Sequence, residues 1–464
     1  MKKIKVAYLP LYIKLYDDSN PGSREPLVAY MDKLISLIED RGIEVVRADE
    51  VCRIKEEFDR AAAKFNADPE IAAVITQNLA YSPSLESIEA LLSLKAPIVV
   101  FDTTPDLELL SVAETENRIS ANHGIHGVQD LCNLLKRNGR RYELCVGHVL
   151  NSGVIDELCG CCRAASAARL FKNARIGKAG GDFEGMGDFR IPDERYEKEI
   201  GVKTVVLTPE EFKKHFDLIS DSEVENEMKD DALFFDVKVT NRENYFAATK
   251  TGLAIRSWMK SEKLDGVTVN FLHADESGMP KMPFCECCKI LGRGQGYAGE
   301  GDTLTAGLVA ALSGVYAGTT FTEMFCPDWK EDILLMSHMG EIHPGLTAWR
   351  PVLWDKKFNY NSCGDTVNMT GCYKKGKAVL VNLAPMSEGF SLILSNVEMT
   401  DDVPRDGAYS ASVQGWMKPP MPLRDYLKAY SLAGGTHHSA LVYDANIEEI
   451  SAFGRMMGFS PVVI

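Results

Sequence analysis

Four residues in this chain combine types that bind a divalent cation: Glu300, Glu323, His338 and His438. They stand in GEGDTLTAGL, FTEMF, SHMGEIHPG and GGTHHSALV. Their spacing is far wider than the short local pattern of a zinc finger, and it suits a fold that brings several loop ends to one point. Two carboxylates and two imidazoles form a mixed oxygen and nitrogen set. Such a set suits Mn²⁺, Co²⁺, Fe²⁺ or Zn²⁺, whereas Ca²⁺ and Mg²⁺ favour all-oxygen shells. Any one of these residues alone reads equally as a satisfied buried polar group. The set gains weight because charged residues beside glycines and small residues serve packing poorly. His437 precedes His438 and is the neighbour that competes for the ligand position.

Other candidates sit in loops. His123 and His126 in SANHGIHGVQD precede a helix expected over about 127–137, and read either as a helix N-terminal site or as a pair of capping residues. The glycine turn AGGDFEGMGDF lets backbone approach a ligand closely, and Phe183 and Met186 would line that pocket. Asn78 and Asp102 follow predicted strands, the usual ligand position in open α/β sheets, although loop capping explains them as well. His273 and Asp275 form no metal pair with a partner at ligand spacing. The clusters CGCC (159–162) and PFCECC (283–288) read as helix segments packed as small hydrophobes rather than as zinc or iron–sulfur sites.

The elements that must position these groups alternate. IKVAYLP, IEVVRA, IAAVITQ and PIVVFDT read as strands, separated by helices at about 24–41, around Phe58–Phe65 and at about 85–94. This alternation implies parallel βαβ units and an open α/β domain. VIDELCGCCRAASAARLF reads as a long helix to about residue 172. A second α/β stretch follows, with a strand ending in Phe271, His273 and Asp275, and a glycine-rich entry to Glu300. Beyond His343-Pro344 the chain turns to short strands divided by Gly, Asn, Asp and Pro, with a hairpin expected at TGCYKKGKAV. The fold expected is α/β, with two open Rossmann-like α/β domains followed by a β-rich, barrel-like domain. Boundaries are expected at 1–173, 174–320 and 321–464.

Length and composition fit this division. At 464 residues the chain exceeds one ordinary core. A net charge of −15 argues against a nucleic-acid partner. No run of 18 apolar residues suggests a membrane span. The first residues read as a strand rather than a signal peptide. Twelve cysteines without an export signal suit a reducing cytoplasm.

GEGD, FTEM, SHMGEIHP and GGTHH, with HGIHGVQDL, CVGHVLN and GGDFEGMGDF upstream, resemble the motifs of L-arabinose isomerases and the wider L-fucose/L-arabinose isomerase superfamily. The resemblance implies a metal-dependent aldose–ketose isomerase acting on an open-chain sugar through an enediol, with Mn²⁺ or Co²⁺ as cofactor. It makes Glu300 and Glu323 both ligands and proton-transfer groups, and it makes His338 and His438 neutral ligands. It places His126, His123, Phe183, Met186, Phe271 and His437 on the substrate side. His123 falls where arabinose isomerases carry a different polar residue. The resemblance further implies a homo-oligomer of trimers or hexamers, with the N-terminal domain of one subunit closing over the metal site of another. An L-fucose-type or other deoxy-sugar isomerase is the alternative enzyme. A non-catalytic sugar-binding protein is the alternative outside enzymes, against which stand the missing export signal and the paired carboxylates.

Overall fold

The computed structural model describes residues 3–110, 118–400, 407 and 409–464. The chain divides into two compact units, Lys2–Arg169 with Ala452–Gly458, and Leu170–Ser451 with Phe459–Ile464.

The first unit is the expected open α/β layer. Strands β1 (Ile4–Leu11), β2 (Ile43–Arg47), β3 (Ile71–Asn78), β4 (Ile98–Asp102) and β5 (Tyr142–Val146) form a parallel sheet in the order β2-β1-β3-β4-β5. Helix Glu25–Glu39 buries Leu27, Met31, Leu34, Ile35 and Ile38, the stripe its periodicity demands. Gly42 follows with φ +80°, a left-handed turn that glycine adopts without steric cost. Helix Lys55–Ala67 buries Phe58, Ala62 and Phe65 against the same sheet. The strand expected through YELCVGHVL stops at Val146.

In the second unit, β6 (Arg175–Ala179), β7 (Lys203–Val206), β9 (Gly266–Val269) and β10 (Gly296–Gly299) form a second parallel sheet in the order β10-β9-β6-β7, while β8 (Asp236–Val237) pairs elsewhere. The strand expected to reach Asp275 ends at Val269. There the Asn270 side chain leaves the ladder, donating to the carbonyls of Gly180 and Asp182 and accepting from the Leu272 amide. The stretch before Glu300 is a true strand: GYAG pairs in register with GVTV.

The remaining strands are β11 (Thr319–Asp328), β12 (Ile333–Ser337), β13 (Val352–Lys356), β14 (Thr366–Cys372), β15 (Gly376–Pro385), β16 (Phe390–Thr400), β17 (Val413–Lys418), β18 (His438–Val442) and β19 (Ser460–Val463). Six of them, β11-β12-β17-β16-β15-β18, close on themselves as an antiparallel barrel. Closure removes the exposed edges that an open antiparallel sheet would leave. The barrel thus begins before His343-Pro344. The hairpin expected at TGCYKKGKAV does not form, because β14 pairs with β13 and β17 while β15 pairs with β16 and β18. Leu380, Ile393, Val397, Met399, Met417 and Leu441 belong to a core of buried side chains shared by the barrel and its covering helices.

A largely buried ion network joins helices Asp221–Phe234, Arg242–Glu262 and Phe284–Gly292. Lys289 Nζ reaches Glu227 at 2.7 Å and also pairs with Asp231, while Arg256 bridges Glu227 and Glu286, each at 2.6 Å. Burial opposes ionisation of Glu227, yet Arg256 and Lys289 outweigh it and bring its carboxyl down to about 2. A depressed carboxyl stabilises the fold above its unfolded value of about 4.3, and that contribution is lost as pH falls toward about 2. Wild-type protein should therefore lose urea resistance between about pH 5 and pH 3 by roughly 2 kcal/mol more than Glu227→Gln does. Equal losses in the two proteins would show that Glu227 is not the responsible group.

All twelve cysteines are free thiols. Cys285, Cys287 and Cys288 lie on helix Phe284–Gly292, and Cys159, Cys161 and Cys162 on helix Val154–Lys172. Burial pushes the Cys287, Cys288 and Cys162 thiols up, as expected of packed rather than reactive cysteines. Among the described residues no cysteine joins a group that could hold a metal ion, and no helix is long and apolar enough to cross a membrane.

Candidate metal centre

The barrel register places three of the four candidates on neighbouring strands. Glu323 on β11 stands opposite His438 on β18 and opposite Ser337 on β12, and His338 follows Ser337. Glu300 arrives from the parallel sheet. It follows β10, and its amide donates to the Val269 carbonyl. Its φ is +64°, a left-handed conformation rare for a non-glycine residue, and Gly301 continues at +80°. Such strain persists only where surrounding structure fixes it, and it is concentrated at functional sites. The next residue, Asp302, caps helix Thr303–Ser313 by accepting from the Thr305 amide through Oδ1.

The four side chains meet. His438 Nε2 lies 3.3 Å from Glu300 Oε2, and His338 Nε2 lies 3.8 Å from Glu323 Oε2. Glu323, His338 and His438 form one group with metal-ligand spacing, and Glu300, His437 and His438 form an overlapping one. Each of these two imidazoles is oriented by a buried carboxylate behind it. His438 Nδ1 donates to Asp302 Oδ2 at 2.9 Å, and His338 Nδ1 donates to Glu341 Oε2 at 2.8 Å. Glu341 is held in turn by the Gly340 amide at 2.7 Å and the Tyr297 hydroxyl at 2.7 Å. With both Nδ1 atoms committed as donors, both Nε2 atoms point inward. Each is buried and makes no hydrogen bond, the Glu300 oxygen lying off the line that such a bond to His438 needs.

Two buried ring nitrogens without a hydrogen-bond partner, aimed at a pair of carboxylates, are the arrangement a divalent cation satisfies. The donor set, two oxygens and two imidazole nitrogens, fits a borderline transition metal. The casing is aromatic. Phe321 meets both His338 and His438 edge-on with centroids 4.9 Å apart, and Phe189 stacks on His438 at 4.9 Å and 10°. Gly299 is required here, because a Cβ would come within 2.6 Å of the His338 ring.

The carboxyls are driven in opposite directions. Burial opposes ionisation of Glu300, but His437 and His438 outweigh it and hold the group well below the usual carboxylate range. Burial dominates at Glu323 and pushes it up, against the pull of the histidines.

The other candidates divide. His437 adjoins the centre, with its Nε2 3.5 Å from Glu300 Oε2, and its Nδ1 pairs with Asp188 Oδ2 at 2.6 Å. Phe183 packs edge-on against Phe271 at 5.4 Å, and the turn carrying Phe183 abuts the Glu300 loop, since a Cβ on Gly301 would meet the Gly181 carbonyl at 2.5 Å. Met186 is half-buried on the same turn. His123 and His126 lie in the first unit, where His126 Nδ1 is 2.9 Å from His123 Nε2 and the His126 ring packs on Tyr81 at 4.8 Å. His273 pairs with Glu276, and Asp275 accepts from Ser362. Sequence reasoning missed Asp188, Asp302, Glu341 and Tyr297. Asp302 and Glu341 were visible in GEGD and SHMGE as second carboxylates near a ligand.

A removable cation should leave a thermodynamic signature. Mn²⁺ at about 100 times its Kd should stabilise metal-stripped protein by about 2.7 kcal/mol, seen as a rise in Tm. Glu341→Gln should weaken Mn²⁺ binding about 10–100-fold in a calorimetric titration, because it leaves the His338 ring unoriented. Unchanged Tm with Mn²⁺, or unchanged affinity in Glu341→Gln, would refute the respective role.

Comparison with known proteins identifies the family. A family model described as the L-arabinose isomerase central domain matches residues 195–318, and one described as the L-arabinose isomerase C-terminal domain matches residues 318–460. An L-arabinose isomerase of Geobacillus stearothermophilus is 25% identical over 438 residues, covering 88% of this chain and 84% of that protein. Those of Geobacillus kaustophilus and Clostridium beijerinckii are each 24% identical, covering 88% and 86% of this chain and 84% and 82% of their own. The two family models run end to end over more than half of the sequence and take in all four converging residues, and the chain belongs to the arabinose-isomerase-like family.

Proposed function

We propose that this protein is a metal-dependent aldose–ketose isomerase acting on an open-chain sugar of the L-arabinose type. The observation that carries this reading is the convergence of two carboxylates with two buried imidazoles whose Nε2 atoms lack hydrogen-bond partners. Membership of a family whose curated relatives are named L-arabinose isomerase supports it.

Isomerisation moves a proton from C2 of the aldose to C1 through an enediol, and it exchanges protons between O1 and O2. Glu300, Glu323, His338 and His438 would hold the cation, for which Mn²⁺ or Co²⁺ suits the donor set. When bound, that ion supplies a Lewis acid that polarises the sugar carbonyl. Glu300 and Glu323 serve together as the proton acceptor and donor at C1/C2 and at O1/O2. Phe183, Met186 and Phe271 form the apolar side of the pocket and restrict water, while His437 meets the polar side of the substrate. The division into domains 1–173, 174–320 and 321–464 is part of this reading, as is function in the cytoplasm.

The proposal extends to assembly. His126 and His123 contact the substrate from the first unit of a neighbouring subunit in a closed homo-oligomer, a trimer or a hexamer. The exposure of Ile119, four residues before His123, and of Ile125, between the two histidines, supports a covering partner.

The deciding experiment is a screen of aldoses with metal-stripped protein and added Mn²⁺, read as ketose formation. L-Arabinose should be converted, and conversion should stop with a chelator. Preference for 6-deoxy aldoses would move the substrate to the L-fucose type. Binding of sugars without ketose formation would leave a sugar-binding protein and end the enzymatic reading.

A further inference from the structure

We propose that Asp188 is a positioning residue that fixes His437 beside Glu300, and that the segment 182–193 is the wall that carries it. The chemistry given to His437 rests on the functional reading above, but its placement does not.

His437 has two N–H groups that could wander, and one oxygen takes both. Asp188 Oδ2 accepts from the His437 backbone amide at 3.0 Å and from its Nδ1 at 2.6 Å. A ring pinned at its own backbone and at Nδ1 cannot swing Nδ1 toward the cation. Only Nε2 remains, and it faces Glu300 Oε2 at 3.5 Å. Asp188 therefore settles a choice that sequence leaves open between two adjacent histidines. His438 turns its Nε2 inward as a ligand, and His437 is held at the side, next to the carboxylate that handles protons.

Asp188 can do this only if its own segment is fixed, and the structure shows what fixes it. Lys178 Nζ, 5% exposed as a residue, donates to Asp182 Oδ1 at 2.7 Å and to Asp193 Oδ1 at 2.9 Å, closing the base of the loop. Asn270 holds the Gly180 and Asp182 carbonyls. Near the tip, the Tyr196 hydroxyl donates to the Phe189 carbonyl at 2.8 Å. Phe189 itself packs on both rings, at 5.3 Å from His437 and 4.9 Å from His438. Consecutive residues of the loop, Asp188 and Phe189, thus grip consecutive residues of the barrel, His437 and His438. A buried lysine spent on the two ends of an otherwise exposed, glycine-rich loop has no packing rationale, whereas it does set where the tip lies.

Asp188→Ala and Asp188→Asn test this with three measurements. Mn²⁺ affinity of Asp188→Ala should stay within about threefold of wild type, because no ligand of the four touches Asp188. Amide exchange should rise about tenfold or more in segments 182–193 and 436–438, with the barrel strands unchanged. Turnover should fall about 10–100-fold, since small displacements of a catalytic group cost rates of this order, with Asp188→Asn intermediate because its amide oxygen still accepts. A tenfold or greater loss of Mn²⁺ affinity would overturn the proposal by making the pair part of the metal shell. Unchanged exchange with turnover within about twofold would overturn it by reducing the contact to a surface pair. Exchange and metal titration need no turnover. If the wild-type chain converts no aldose, the functional reading falls while Asp188 is still judged on those two arms.

Discussion

Glu300→Gln and Glu323→Gln should each lower kcat by about 10²–10⁴-fold while leaving the protein folded. Each change keeps the shape of the side chain and removes its charge. The two losses should nevertheless differ in kind. Glu300 is held ionised by His437 and His438 and occupies a strained backbone position that only its surroundings maintain. Replacing its carboxylate removes a proton-transfer group and also the charge facing His438 Nε2, so Mn²⁺ affinity should fall together with kcat. Glu323 sits in the barrel ladder between β12 and β18, outside the left-handed region, with its Oε2 3.8 Å from His338 Nε2. Glu300→Gln removes the charge that faces His438 Nε2 at 3.3 Å and should cost more Mn²⁺ affinity than Glu323→Gln, whose partner is more distant. Circular dichroism, calorimetric Mn²⁺ titration and kcat separate these effects. Either variant retaining more than about a tenth of wild-type kcat would remove that residue from proton transfer.

What could be read from the sequence, and what could not, follows from the range of the interactions involved. Helix Glu25–Glu39 was legible because five apolar residues recur on one face and Gly42 stops it, all within eighteen positions. The barrel was legible as short strands, but its pairing was not. TGCYKKGKAV has the turn chemistry of a hairpin, yet both flanking strands find other partners, a choice made by the whole barrel. Strand β10 was missed because GYAG offers almost no side chains to show alternation, and Gly296 lets the sheet pack closely on helix Thr303–Ser313. At the site, the ligands stood out because charged groups beside glycine in apolar surroundings need a reason. The groups that orient them were harder to see. Asp302 and Glu341 lie two and three residues from a ligand but look like a helix cap and a loop acid. Asp188 lies 249 residues from His437, and nothing local to either residue announces the contact.

Co-assembled His126→Ala and Glu323→Ala subunits should recover activity that neither variant has alone. If every site draws His126 from one subunit and Glu323 from its neighbour, then in random mixed oligomers some neighbours meet with both residues intact. At equal proportions that pairing arises at about one quarter of the sites, so activity should return to about a quarter of wild type. The reasoning begins from the two units. The four residues proposed to hold the cation all lie within Leu170–Ser451, and His126 lies within Lys2–Arg169. His126 pairs with His123 and packs on Tyr81, which gives it a fixed orientation but no chemistry of its own to perform there. A contact from a second subunit would give the pair its purpose, and it would exclude water from a reactive intermediate without a long mobile lid. Co-expression with two different affinity tags and tandem purification provides oligomers that contain both variants, with composition confirmed by native mass. Activity that stays at the level of the separate variants in such oligomers would show that each site is completed within one chain, or that His126 takes no part in catalysis. Those two outcomes are then distinguished by His126→Ala alone, which in the first case is inactive and in the second retains wild-type turnover.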